Sequence, residues 1–358
     1  MSDPTLAPAA QPQPAGTATF GAETQPPQAE LRALNFDAPY DLAPDEDAEE
    51  LEESDPGDRS GPSLIEKLLP VSFADQGFLL PDGASAGRFA LQTIRAFQKV
   101  AGRPKRTHLI YCAGPQNTPL PDGLAGEDGI EILTTDDPGA VLAAITPRTA
   151  GILVAPVRTV PTFEETSRGL LAVLREATDD YGIVFAFDET ASGLCRTGMM
   201  WAYEWTGVTP DLMILGHGLA GEEPLAGVLT TGKVARGATP PAFAPSEATL
   251  ELAHVRVDRI ANPDFAAEVQ SRSWTLEDRL STLSFNHRAI FSAVVGLGLM
   301  QGLECPAGAL AMAERAAAAG LRTHPMGNVL GLFPALTVRE KEIDMAIAIL
   351  EHIAQGME

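Results

Sequence analysis

The sequence predicts an α/β fold: a large domain on a mostly parallel sheet, then a small α+β domain at the C-terminal side. Two observations carry this. Helical patterns alternate with short strands that are apolar from end to end, and such strands need cover on both faces. After about Ala248 the alternation gives way to a helical and then a mixed pattern. Leu64–Leu69 reads as a short helix and Phe78–Leu80 as a strand. Ala84–Val100 reads as a helix with Phe89, Leu91, Ile94 and Phe97 as its apolar positions. Thr107–Tyr111 is a strand, Pro138–Ile145 a helix and Ala150–Val154 a buried strand. Phe163–Tyr181 is an amphipathic helix, with Leu170, Leu171 and Leu174 on one face. Ile183–Phe187 is an apolar strand ending in Asp188. Leu212–Leu215 and Leu225–Thr230 follow as strands, then the mixed stretch Val294–Leu303, Val329–Leu332 and a closing helix Glu340–Gln355. At 358 residues the chain has room for about two domains. The expected division is a tail over 1–62, a large domain over 63–250, and a helical segment with the small domain over 251–358.

Charge excludes several function classes. The chain carries 25 Lys+Arg against 48 Asp+Glu, a net −23. Nucleic acid and anionic membrane surfaces are therefore not expected partners, since both need a cationic face. Three separated cysteines, Cys112, Cys195 and Cys305, make neither a disulfide framework nor a zinc spacing. Met1–Ala10 lacks the basic and apolar regions of a secretory signal, so the expected compartment is the cytoplasm.

About half of the charge lies in 1–62. Fourteen acids stand there against Arg32 and Arg59, a net −12, and eleven of them crowd between Asp37 and Asp58. Pro4, Pro8, Pro12, Pro14, Pro26 and Pro27 punctuate the start. Such a stretch buries too little apolar surface to offset its chain entropy and is expected to be disordered. Its removal is expected to leave stability nearly unchanged. An alternative is a partner-binding motif: Leu31, Leu34, Phe36 and Tyr40 followed by acids would suit a protein partner with a basic rim.

The most informative stretch is Ile183–Thr231. An acid ends a buried strand, where parallel sheets place their ligands. An ordered run follows: Asp188-Glu189, Gly193, Arg196-Thr197-Gly198, Ala202-Tyr203-Glu204, Gly207-Val208, Pro210-Asp211, Gly218-Leu219 and Pro224. This resembles the class III aminotransferases, above all the acetylornithine and ornithine group. Asp82-Gly83-Ala84-Ser85-Ala86 resembles the family's phosphate loop, a small-residue turn opening a helix. Ala155-Pro156-Val157, Gly296–Gly302, Gly327–Leu330 and Pro334–Thr337 resemble further family blocks.

The resemblance implies fold type I, a homodimer or a heterodimer with a related aminotransferase, and a pyridoxal 5′-phosphate (PLP) cofactor contacted by Asp188, Gly83 and Ala84. It also exposes departures. Where the family has Ala-Lys-Gly-Leu this chain has Gly216-His217-Gly218-Leu219. Imidazole has no primary amine, so the cofactor is non-covalently held at most, or not held at all. Ala191 replaces a cofactor-touching Gln, Ala242 a phosphate-binding Thr, Ala155 a Glu, and Gly331 the carboxylate-clamping Arg. The aromatic-His block that stacks on the pyridine ring is replaced by Cys112-Ala113-Gly114-Pro115-Gln116. Asp188 is open to two readings, cofactor contact or a cap on the following turn with Arg196 as a possible pair. His217 is open to three: a histidine without cofactor, a base beside an untethered cofactor, or other binding. The function expected is a transamination-deficient binding or regulatory homologue, the alternatives being a PLP- or PMP-dependent enzyme with His217 as base and an active amino-group transferase.

Overall fold

A computed structural model describes residues 34–38, 63–161, 163–216, 218–221 and 223–357. Ser63 opens α1 (Leu64–Leu68) with a capping box, in which the Glu66 carboxylate accepts from the Ser63 N–H at 2.7 Å. There follow β1 (Gln76–Leu80), α2 (Gly83–Val100), β2 (His108–Cys112), β3 (Ile130–Leu133), α3 (Pro138–Ala143) and β4 (Thr149–Val154). A short hairpin, β5 (Val157–Arg158) and β6 (Glu164–Glu165), precedes α4 (Arg168–Tyr181) and β7 (Val184–Asp188). Then come α5 (Ala202–Thr206), β8 (Leu212–Leu215), β9 (Ala226–Thr230) and α6 (Gly232–Ala235).

These strands make one seven-stranded sheet in the order β1-β9-β8-β7-β4-β2-β3. All run parallel except β9, which is antiparallel to both neighbours. Side chains alternate across it, as the period of two requires. Phe185, Phe187, Met213 and Leu215 join one buried cluster; Val184, Ala186, Leu212 and Ile214 join the other, with Phe89, Ile94 and Phe97 of α2. Both faces are thus covered, and ligands can reach only the strand ends.

The helix expected from Phe163 starts later, at Arg168. Glu164–Glu165 pair with Val157–Arg158 as β6, and the Ser167 hydroxyl then caps the Leu170 N–H. Helices α7 (Glu247–Ile260) and α8 (Pro263–Asn286) lead to a second sheet: β10 (Val294–Leu297), β11 (Met300–Glu304), β12 (His324–Met326) and β13 (Val329–Leu332), ordered β10-β11-β13-β12. The stretch expected as one element, Val294–Leu303, is a hairpin. Gly298 takes φ 66°, a left-handed turn that glycine adopts without strain. Helices α9 (Ala309–Ala318) and α10 (Glu340–Gln355) pack against this region. Among the described residues no helix is long and apolar enough to cross a membrane.

The expectation of a disordered tail over 1–62 is corrected at residues 34–38; the rest of it, Leu31 and Tyr40 included, lies outside the described residues. Leu34 and Phe36 are 1% and 0% exposed. The segment makes two isolated parallel bridges, to Arg322 just before β12 and to Phe333 just after β13. Phe36 N–H donates to Arg322 O and Arg322 N–H to Leu34 O; Phe333 N–H donates to Phe36 O and Ala38 N–H to Phe333 O. His324 meets the Asp37 carboxylate at 3.1 Å beside this ladder. The apolar pair proposed for an outside partner is therefore satisfied within the chain.

The turn after β7 is held by an acid. Glu189, 2% exposed, accepts from the N–H groups of Ala202 at 2.6 Å and Tyr203 at 2.8 Å. It caps α5, whose own cap residue Trp201 supplies no side-chain bond. Burial pushes the Glu189 carboxyl up to about 8, although these two bonds pull the other way.

Two outcomes follow. Truncating Phe36 to alanine should cost about 3 kcal/mol, the usual cost of emptying a buried aromatic site, read as a lower urea midpoint; an unchanged midpoint would detach the segment from the core. Because the folded-state pKa of Glu189 lies above its unfolded value of 4.5, its contribution is full below that pH and is lost as pH rises through about 8. The stability of the parent chain should therefore fall relative to Glu189→Gln between about pH 5 and pH 9, and the opposite slope would rule out the burial effect.

Candidate functional site

Strands β4, β7 and β8 run parallel and deliver Ala155, Asp188 and Gly216 to the same end of the large sheet. The N-terminus of α2 and the loop after β2 face them. Together they enclose a cleft of about 230 Å³. Of the positions expected from the sequence, Gly83, Ala155, Asp188 and Ala191 line it, and Asp122, Arg158 and Thr190 join them. Ala84 lies beside the cleft, its carbonyl against Gly123. Ala242 is exposed and, like Gly331, lies outside the cleft wall. His217 is outside the described residues.

Asp188 caps its own turn: the Thr190 N–H donates to its Oδ1 at 3.0 Å. Burial raises its pKa above the ordinary carboxylate range. The Thr190 bonds oppose this and the nearby Asp122 charge adds to it. Arg196, a possible pair for Asp188, extends toward the small sheet, where it donates to Leu299 O and Pro334 O. Gly216 packs tightly on this turn. A Cβ there would fall 2.7 Å from Thr190 O, so the family's alanine does not fit.

The cation of the cleft wall is Arg158, 1% exposed. Its guanidinium is bidentate on Asp136, at 2.6 and 2.9 Å, and meets Glu164 at 2.9 Å. Burial works against its charge, but these carboxylates outweigh it and raise its pKa. It also lies against Gly114, filling the space that a side chain at 114 would need. The stacking block that the resemblance leads one to expect is replaced here by a clamped ion cluster.

Asp82 caps α2, taking the Ser85 N–H at 2.6 Å. The Asp122 carboxylate lies 3.9 Å from where a Cβ on Gly83 would be. The five lysines sit elsewhere. Lys67 pairs with Asp258, Lys233 lies 5.8 Å over the Phe97 ring, and Lys99, Lys105 and Lys341 are exposed. At Gly331 a Cβ would meet His324 O at 2.8 Å, so the hairpin itself excludes a larger residue there. The residues can meet a pyridine nitrogen through Asp188. They do not fit a phosphate dianion: carboxylates stand at the helix N-terminus, and the cation that lines the cleft is already neutralised.

Arg158 could have been found in the sequence, as the sole charge in the apolar stretch Thr149–Phe163. Nothing in the pattern marks Asp122, because its role arises from where the loop lies.

A family model described as aminotransferase class-III matches residues 124–354. The acetylornithine aminotransferase of Rhodobacter capsulatus is 31% identical over 313 residues, covering 82% of this chain and 80% of that protein. The succinylornithine transaminase of Salmonella newport is 30% identical over 302 residues, 78% of this chain and 74% of that protein. A crystal structure of N-acetylornithine aminotransferase from Stenotrophomonas maltophilia matches with a TM-score of 0.71 and 26% identity, covering 82% of this chain and 79% of the other. The ornithine aminotransferase of Toxoplasma gondii, 20% identical, shares the fold with a TM-score of 0.74 over 84% of this chain and 78% of that one. The fold type I architecture, the family match over more than half of the chain and the 31% identity across four fifths of it lead to one conclusion: this protein belongs to the class-III aminotransferase family.

Proposed function

We propose that this chain is an acetylornithine-aminotransferase-like homologue that does not transaminate and serves as a binding or regulatory subunit. One observation carries the reading. The position of the imine-forming lysine is His217, and no lysine lines the cleft. Losing a primary amine removes a reaction step outright, whereas losing a contact lowers affinity. Supporting it, Gly331 leaves no room for the carboxylate clamp and Arg158 is committed to Asp136 and Glu164.

In this reading cofactor binding is non-covalent or absent. The partner is a second copy or a related, intact aminotransferase, and the compartment is the cytoplasm. The partner expected of the acidic run that follows Ala38 in the sequence is a basic protein. A second reading rests on the retained Asp188 at the end of β7: a PLP- or PMP-dependent enzyme with His217 as base.

Absorbance of the purified chain with PLP, before and after borohydride, separates the two. The expected result is no stoichiometric, protein-attached chromophore after reduction. A reducible chromophore at one residue would overturn the non-transaminating reading. Saturable, unattached binding that Asp188→Asn abolishes would select the His217 enzyme instead.

A further inference from the structure

We propose that Asp122 keeps phosphorylated ligands out of the cleft: its carboxylate stands beside the N-terminal end of α2, the position where a phosphate would be drawn. This rests on reading the cleft as one that does not hold the family cofactor, and it names the residue responsible.

The position of Asp122 is fixed from several sides. Its carbonyl oxygen lies where a Cβ on Gly87 would be, and a Cβ on Gly123 would likewise fall on Ala84 O. Gly123 takes φ 80°, a conformation that side chains resist. On one flank the Tyr111 hydroxyl donates to Pro119 O at 2.8 Å. On the other, Leu124 is 1% exposed, anchored among Phe89, Leu91 and Ile94. The loop backbone is thereby seated on the first turns of α2, and the exposed Asp122 carboxylate lies beside Gly83, the first residue of the helix.

That end of a helix attracts an anion, because its free N–H groups and the aligned peptide dipoles present partial positive charge. Asp82 already caps that end through the Ser85 N–H, and Asp122 adds a second carboxylate beside it. An incoming phosphate would have to displace it or accept its repulsion. Asp122 also belongs to the electrostatics of the cleft, since its charge contributes to raising the Asp188 pKa. Arg158, on the same wall, is occupied by Asp136 and Glu164 and offers no compensating charge.

Phosphate discrimination tests this directly. Pyridoxamine 5′-phosphate and pyridoxamine are titrated into the full chain, followed by ligand fluorescence; neither carries an aldehyde that could react with surface lysines. The parent chain should bind the phosphorylated probe no tighter than the unphosphorylated one. Asp122→Asn, which preserves volume and the backbone contacts, should tighten pyridoxamine 5′-phosphate by about tenfold or more and leave pyridoxamine within about twofold. Asp122→Ser should do the same, and serves if the asparagine variant melts early. A parent chain that already prefers the phosphorylated probe by about tenfold would overturn the assignment. So would phosphate binding that stays unchanged, or undetectable, in both variants. A borohydride-fixed chromophore in the parent chain would instead overturn the non-transaminating reading and leave this ratio to be judged separately.

Discussion

The large sheet is buried on both faces, and that constraint shapes everything functional in this protein. Strands lined by Phe185, Phe187, Met213 and Leu215 on one side and Val184, Ala186, Leu212 and Ile214 on the other offer no surface to a ligand. Only the strand ends remain, where the backbone leaves the ladder and side chains such as Asp188 are set free. The helix that starts opposite them and the loop lying on it complete the cleft. What this chain can bind is therefore decided at the rim of the sheet and not on its faces.

The rim is marked by the sign and commitment of its charge. It brings the Asp122 and Asp188 carboxylates to one cleft and ties its buried guanidinium to two more. A buried, bidentate ion cluster is costly to break, because each partner left behind would be charged and unpaired. The glycines at 114, 216 and 331 deepen this commitment, since neighbouring atoms occupy the space where a side chain would start. A side chain placed at any of the three would thus collide with atoms already in place.

Sequence periodicity located most of the framework because each of those elements repeats a local rule. The closing helix α10 and strand β8 match their expected limits, since amphipathic spacing and an unbroken apolar run decide them without outside help. The same reasoning overextended α4, where Glu164 and Glu165 are drawn into β6 by pairing with residues just upstream. It passed over β12, a short piece that exists only through its pairing with β13, and the bridges of Leu34–Ala38 to partners far along the chain. Asp188 was legible as a strand-end acid. Asp122 and Glu189 were not, because their roles depend on helix ends brought to them by the fold.

The bridging of Leu34–Ala38 to Arg322 and Phe333, at the edges of β12 and β13, has a consequence for the order of assembly. Its partners, Arg322 and Phe333, are nearly 300 residues away in sequence. During synthesis the segment leaves the ribosome long before Arg322 and Phe333, and its slot is made only once those partners have followed. The large sheet can close from contacts nearer in sequence, whereas the small sheet must wait for both distant regions of the chain. Until then Leu34 and Phe36 are exposed, next to a run of acids whose mutual repulsion opposes aggregation at that stage.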